Sequence, residues 1–272
     1  MRVRVAPPIQ VSAVPHRGGL AIAALVLVAS WNVASVLRTS VDYPLIRAIN
    51  VYARVVPLAD TALAWMTSEY LFSSTLLMAL IWYCWFDRRD TDARLTLLGG
   101  TVGAFLSGMA GRLMQLTLPS HPRPMHDPVL AMTLPTSVDP NELNHWNSFP
   151  SDHASVQFGL AAVICLVRPA LGRIAFAWVL LLNIGRVYLG VHFPTDISGG
   201  AALGVVLVLL AQTAPARQAS GWLLRWERRA PAASYALAFF VSYQIATLFD
   251  EAREAAEGMF IFLRLLLHGP GQ

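Results

Sequence analysis

GRVYLGVHFPTD, residues Gly185 to Asp196, is the stretch on which the reading of the fold turns. Arg186 and His192 stand near the finish of a helix-length apolar run, and Pro194 cannot continue that helix, so Thr195 and Asp196 open the next one. Asp196 then lies close to His192 across a tight helix-to-helix turn. Ionisable groups at such a depth are expensive unless they serve a site or line a wet cavity. A histidine with a carboxylate partner and a guanidinium nearby suggests an imidazole held in one tautomer beside an anion. Taken alone, the same residues could as well be a polar surface loop capping two helices. What the remaining sequence supplies decides between the two.

Of 272 residues 56% are hydrophobic and 13% charged, and mean hydropathy is +0.52, a balance that fits an all-α, polytopic membrane bundle better than a soluble domain. The net charge is +4, and all 20 basic residues are arginine, dispersed in short clusters between apolar runs. That dispersal excludes a lysine-rich tail, and no nucleic-acid partner is expected. Cys84 and Cys165 sit inside apolar segments without metal-ligand spacing and are expected as membrane-core residues, not a disulfide.

Outward from the opening stretch, six core spans are expected: Gly19–Leu37, Tyr70–Phe86, Leu95–Leu118, His153–Val167, Leu171–Val191 and Asp196–Ala211. The first is expected as an uncleaved helix, since a secretory signal has a shorter apolar region and a clear cleavage site. Residues 39–68, with Leu45, Ile49, Tyr52 and Val56 at near-helical spacing, are expected to form an interfacial amphipathic helix. Gly99, Gly103, Ser107 and Gly111 recur every four residues, as do Gly200 and Gly204, a small-residue spacing that lets helices approach closely. Only RPALGR separates the fourth and fifth spans. Ala232–Phe249 is expected as an additional C-terminal span of marginal length, Asp250–Glu257 as a solvated acidic face, and Met259–Leu267, too short to cross, is placed at the interface. The organisation expected is one membrane domain over 1–272, with a core at 70–213 and a C-terminal extension at 214–272.

With a cytoplasmic N-terminus, the inner segments carry 12 of the 20 arginines: Arg2, Arg4, Arg17, Arg88, Arg89, Arg94, Arg168, Arg173, Arg217, Arg225, Arg228 and Arg229. The long proline-rich loop 119–152 and the turn 192–196 then face outward together, separated by one helical hairpin. Three polar clusters converge there: Arg123 with Pro124, then Pro150, Ser151, Asp152 and His153, then Arg186, His192 and Asp196. Ser151 or Asp152 can cap a helix whose free N–H groups offer a seat for phosphate. Two guanidiniums complete a pocket for a tetrahedral dianion, and two histidines beside it suggest a nucleophile and an acid.

In order, RP, then SFPSDH, then R, five residues, H, three residues, D resembles the three-part signature of the type 2 phosphatidic-acid phosphatases, the lipid phosphatase and vanadium haloperoxidase superfamily, over residues 70–213. The resemblance implies that His192 attacks phosphorus to form a phosphohistidine, that Asp196 orients its imidazole and that His153 protonates the leaving oxygen. It also implies that Arg123, Arg186, Ser151 and the backbone N–H at Asp152 hold the phosphoryl oxygens, with no metal and no cofactor. Fixed positive groups around the equatorial oxygens are what metal-free phosphoryl transfer requires. Leu116 stands where the family has a lysine, and Arg112, one helical turn earlier, is the expected substitute. Asp152 replaces the usual glycine, which resembles the undecaprenyl-diphosphate phosphatases; the effect of its charge beside a phosphate stays open.

His121, His126, Asp127 and His145 match no standard metal spacing and are expected to line the mouth or hydrogen-bond within the loop. Trp146 is expected as an interfacial anchor. The resemblance points to hydrolysis of a lipid phosphate, with undecaprenyl diphosphate the first expectation. Phosphatidic acid, phosphatidylglycerol phosphate, lipid A phosphate, transfer to an acceptor lipid, and a non-catalytic headgroup-binding scaffold stand as alternatives. The expected location is the inner membrane, with the site on the periplasmic or outer side; the partners are bilayer and substrate, and oligomeric state stays open.

Overall fold

The protein is described by a computed structural model covering residues 31, 34–136, 138–144, 146–248, 250 and 258–259. The first expected span (mostly), His145, most of the acidic 250–257 run and most of Met259–Leu267 lie outside these residues, as do Arg2, Arg4 and Arg17.

A short π-helical turn, Arg38–Asp42, runs directly into α1, Tyr43–Asn50. Residues 51–56 break the helix, with Arg54 at φ 64°, and α2 restarts at Pro57–Ser68. The single interfacial helix expected over 39–68 is therefore two. Proline at the first helical position favours such a restart. The apolar residues expected to mark one face are divided: Leu45, Tyr52 and Val56 point outward and Ile49 is half-buried, while the residues that face the protein are Asp42 and Ile46.

After a second π-helical turn, Leu71–Thr75, come α3 (Leu76–Asp87) and α4 (Thr91–Thr117). The Asp90 carboxylate caps α4 by accepting the Ala93 N–H. A long loop then leads to α5 (Asp152–Val167), α6 (Pro169–Tyr188), α7 (Pro194–Leu210), α8 (Ala214–Arg229) and α9 (Pro231–Ala246). The turn between α5 and α6 is shorter than RPALGR, since Arg168 alone separates them. Among the described residues, α4 and α6 have the length and apolarity of a full crossing, α7 and α8 form a pair bent by 73°, and the stretches Leu71–Asp87 and Asp152–Val167 are shorter apolar helices. Sixteen-residue α9 reaches about 24 Å at 1.5 Å per residue, short of the roughly 30 Å hydrocarbon layer.

Helices α4, α5, α6 and α7 pack as the central bundle, with α5 against each of the other three. Close approach explains the small residues. A Cβ at Gly204 would stand 2.1 Å from the Ser155 carbonyl and one at Gly200 2.4 Å from the Ser151 carbonyl, so α7 lies backbone to backbone on α5. That contact brings the start of α7, and with it Asp196, against the start of α5: the Ser151 N–H donates to the Asp196 carbonyl at 3.2 Å.

The two ends of the bundle differ in chemistry. At one end Arg168 pairs with Asp87 and Arg217 with Asp92, beside Arg88, Arg89 and Arg94. At the other, the end of α4, the long loop, the start of α5, the end of α6 and the start of α7 meet. There the α1–α2 segment clasps the loop through its backbone. Asn50 donates to the Thr133 carbonyl at 2.7 Å and accepts the Thr133 N–H at 2.9 Å. Arg54 donates to the Leu134 carbonyl at 2.8 Å, and the Asp60 carboxylate accepts the Thr136 N–H at 3.1 Å.

Candidate active site

Four helix ends build the site, and each side chain is placed by a local reason. Ser151 caps α5, its Oγ accepting the Ala154 N–H at 3.3 Å; its own hydroxyl proton stays available for donation. Asp152 follows in the first turn, where a carboxylate is favoured by the helix dipole. Its Oδ1 accepts the His153 N–H at 2.9 Å and lies 3.0 Å from His153 Nδ1. The aspartate that replaces the family glycine thus grips the adjacent imidazole by Nδ1, leaving Nε2 to the site. Its own N–H, the donor expected to meet a phosphoryl oxygen, is at the start of α5 as anticipated.

His192 is 1% exposed, in the short connection between α6 and α7. Its Nδ1 lies 3.0 Å from the Ser148 carbonyl, which can only accept, so Nδ1 carries the proton. Nε2 therefore presents its lone pair, and Arg123 Nη1 faces it at 3.3 Å while also donating to the Val191 carbonyl at 2.8 Å. Burial and the Arg123 charge push the His192 imidazole below the ordinary histidine range, against the opposing pull of the Asp196 carboxylate. Arg123, 4% exposed, is likewise lowered by burial, partly offset by Asp152 and Asp196. Arg186 is buried, donates to the Thr67 carbonyl at 3.0 Å, and interacts electrostatically with Asp152, Arg123 and His153. The Nε–H groups of both Arg123 and Arg186 are buried without a protein acceptor. Buried donors of this kind need a partner, and a phosphoryl oxygen is one that fits.

Asp196 departs from the expected role. Its Oδ2 is 3.6 Å from His192 Nδ1, too far for a direct hydrogen bond. Instead Oδ2 accepts from Ser148 Oγ at 2.5 Å and from the Phe193 N–H at 2.7 Å. The carboxylate acts on the imidazole through Ser148 and through space. The tautomer rests on the Ser148 backbone, a contact that residue identity at 192 and 196 does not announce.

His121 lines the open cavity, as expected, but its ring also reaches down to the site floor. It is 4% exposed, packed against Phe149 and Phe193, with Nε2 3.3 Å from Asp196 Oδ1. His126 faces the Glu142 carbonyl at 2.9 Å, and Asp127 accepts from Arg38 and Tyr43, each at 2.7 Å. The described members of the loop cluster thus have three separate sets of partners. Asp42 was given no role, yet it is fully buried and holds the start of α7, accepting the Thr195 N–H at 3.1 Å and its hydroxyl at 2.6 Å.

Over this floor lies an open cavity of about 610 Å³ lined by Arg112, Gln115, His121, Arg123, Trp146 and Asn147, among others. Arg112 reaches it from α4, donating to Gln115 Oε1 at 2.9 Å, with its guanidinium 3.6 Å from the Trp146 ring centroid. Trp146 thus props a cation at the mouth, a cation–π role that its expected anchoring did not include. Gln115 in turn donates to the Pro150 carbonyl at 2.7 Å, tying α4 to the segment that enters α5.

A sequence profile of the PAP2 superfamily matches residues 95–219. The chain is 29% identical over 149 residues to the Bacitracin transport permease protein BcrC of Bacillus licheniformis, covering 54% of this chain and 68% of that one. It is 21% identical over 172 residues to the Undecaprenyl-diphosphatase BcrC of Bacillus subtilis strain 168, covering 62% and 81%. It is 41% identical over 76 residues to the Phosphatidylglycerophosphatase B of the same organism, covering 24% and 37%. The matched residues run from α4 to the first turns of α8 and so include every candidate site residue.

Proposed function

We propose that this chain, whose residues 95–219 match the PAP2 superfamily profile, is a membrane lipid phosphatase that hydrolyses undecaprenyl diphosphate to undecaprenyl phosphate by way of a phosphohistidine at His192. The observation that carries the chemistry is the tautomer: Nδ1 faces a carbonyl and Nε2 faces a guanidinium, so the nucleophilic lone pair points to where an anion would be held. In the first step Nε2 attacks the terminal phosphorus as its bond to the bridging oxygen breaks. His153 gives that oxygen a proton. Water then attacks the phosphohistidine, His153 takes the water's proton, the N–P bond breaks, and inorganic phosphate leaves. Arg123, Arg186, Arg112, the Ser151 hydroxyl and the Asp152 N–H hold the phosphoryl oxygens as charge redistributes.

Choice of substrate rests on the SFPSDH segment and on the named activity of one relative. The orientation follows from arginine: the end of the bundle opposite the site carries Arg88, Arg89, Arg94, Arg168 and Arg217, which favours a cytoplasmic location for that end and an outward-facing site in the inner membrane.

The deciding experiment is phosphate release from a panel of lipid phosphates, with EDTA present, by wild type and His192→Ala. Release from wild type that is unaffected by EDTA and falls to background in His192→Ala is expected. Release that survives the substitution, or that needs added metal, refutes the mechanism. A diphosphate expels a better leaving group than an alcohol, so His153→Asn should lose less rate on undecaprenyl diphosphate than on phosphatidic acid. Equal losses on both would count against this account of His153 and the leaving group.

A further inference from the structure

On the far side of the bundle from the histidines, α3, α4, α8 and α9 enclose a second cavity of about 220 Å³ that is almost wholly apolar. Its inner wall is Met78, Ile81 and Leu97, and its lip is Val102 on α4 facing Leu237 and Val241 on α9, all three exposed. Several polar groups at its rim are engaged with one another, while the Thr101 hydroxyl on its wall is buried without a protein partner. Trp85 donates to the Tyr235 hydroxyl at 3.2 Å, which donates to Glu227 at 3.1 Å, and Trp82 donates to Ser242 at 3.1 Å. What remains is a hydrocarbon-lined pocket that opens sideways between α4 and α9.

One face of α4 joins this pocket to the phosphate mouth. Leu98, Val102 and Phe105 line the pocket, Arg112 and Leu116 line the mouth, and Met109, 55% exposed, lies between them. The intervals are four, three, four, three and four residues, the repeat of a single helix face. At 1.5 Å per residue, Phe105 lies about 10 Å along the axis from Arg112 and Leu98 about 21 Å. One leaflet of hydrocarbon is about 15 Å deep. The pocket thus begins within the leaflet that holds the mouth and ends beyond the midplane, deeper than one leaflet of hydrocarbon.

We infer that this pocket receives the distal part of the substrate's hydrocarbon tail, which lies along the α4 face from the mouth and, being longer than one leaflet, fills the inner end. The tail class that fits is a long polyisoprenoid. This rests on the lipid-phosphatase reading above and adds to it a second point of recognition, remote from the phosphate, that selects for chain length. The pocket takes no part in the chemistry, so its loss acts on KM for long chains and leaves turnover of short ones alone.

The test narrows the pocket from either wall, with Ala238→Phe on α9 and Val102→Trp on α4, and uses Ala236→Phe, which faces outward from α9, as the control. Purified full-length protein in detergent is assayed on undecaprenyl diphosphate and on farnesyl diphosphate, whose three isoprene units stop short of the inner end. Both pocket variants should raise KM for the long substrate by about ten-fold, the burial of roughly two methylenes, with farnesyl diphosphate turnover and the control unchanged. Equal effects on both substrates, or none on either, overturn the inference. A binding readout separates its failure from that of the phosphatase reading. An undecaprenyl diphosphate carrying a photoreactive group at the tail end should crosslink to α3, α4, α8 or α9, whether or not phosphate is released. Crosslinks confined to other helices, or a co-purified phospholipid in the pocket that undecaprenyl diphosphate does not displace, refute the assignment.

Discussion

Asp196→Asn tests the site most sharply, because the structure separates two jobs that a carboxylate beside a histidine usually combines. The tautomer of His192 is set by the Ser148 carbonyl at 3.0 Å, so the imidazole should keep its orientation in the variant. What is lost is charge. A full negative charge 3.6 Å from Nδ1 is worth about 4.6 kcal/mol toward a cationic ring at an effective dielectric of about 20, and at 1.36 kcal/mol per decade that caps the loss at roughly 2,500-fold. The amide dipole recovers part of it, so a fall in kcat of roughly 10² to 10³ is expected, short of the ~10⁴ seen where a carboxylate alone fixes the tautomer. The assay is single-turnover phosphate release with acid-labile, base-stable phosphoenzyme trapped in parallel, and thermal unfolding in detergent shows that the variant is folded. A loss under ten-fold would mean that Asp196 is not coupled to the reacting ring. A loss equal to that of His192→Ala would mean that it, and not Ser148, holds the tautomer.

The remaining expectations concern titration, the mouth and the packing. His192 must be neutral to attack, and burial with Arg123 lowers its pKa, so the acid limb of kcat/KM should lie below the ordinary histidine value of about 6.5; Arg123→Gln should move it upward, and a wild-type limb above that value contradicts the assignment. Arg112→Gln should raise KM several-fold with a smaller change in kcat, Arg112→Lys should restore part of the loss, and Trp146→Ala should weaken substrate binding in the same direction, all read from Michaelis curves. Gly204→Ala places a methyl group against the Ser155 carbonyl and should lower stability by about 1–3 kcal/mol or more, measured as a lower unfolding temperature, whereas Ala201→Ser on the same helix should be near neutral.

Helix positions and the polar clusters are legible in the sequence because their causes are local. Pro169, Pro194 and Pro231 start helices at their first position, and the spacing of Gly99, Gly103, Ser107 and Gly111 announces a buried face that all four occupy. The meeting of Arg123, His153, Arg186 and His192 at one end follows from counting spans. Residues 39–68 were harder, since apolar side chains that face lipid and apolar side chains that face protein carry the same periodicity. The burial of Asp42 and Ile46 instead of Leu45 is decided by the partner, Thr195, 153 residues away.

The same argument explains why the parts played by Ser148, inside the quoted SFPSDH segment, and by His121, expected only at the mouth, are not legible in the sequence. Their roles are fixed by contacts that the residue type does not require: Ser148 acts on His192 through its carbonyl, which any residue possesses, and His121 reaches Asp196 only because the loop folds beneath its own mouth. That folding depends on the clasp. Asn50, Arg54 and Asp60 bond the loop's backbone at 133, 134 and 136, and Arg38 and Tyr43 grip it at Asp127. A proline-rich loop of this length has little regular structure with which to pair its own backbone, so segments outside the matched domain provide the partners. The α1–α2 region, which carries none of the signature, therefore belongs to the architecture of the site: it stabilises the loop that sets Arg123 against Nε2 and the Ser148 carbonyl against Nδ1, on the two sides of one imidazole.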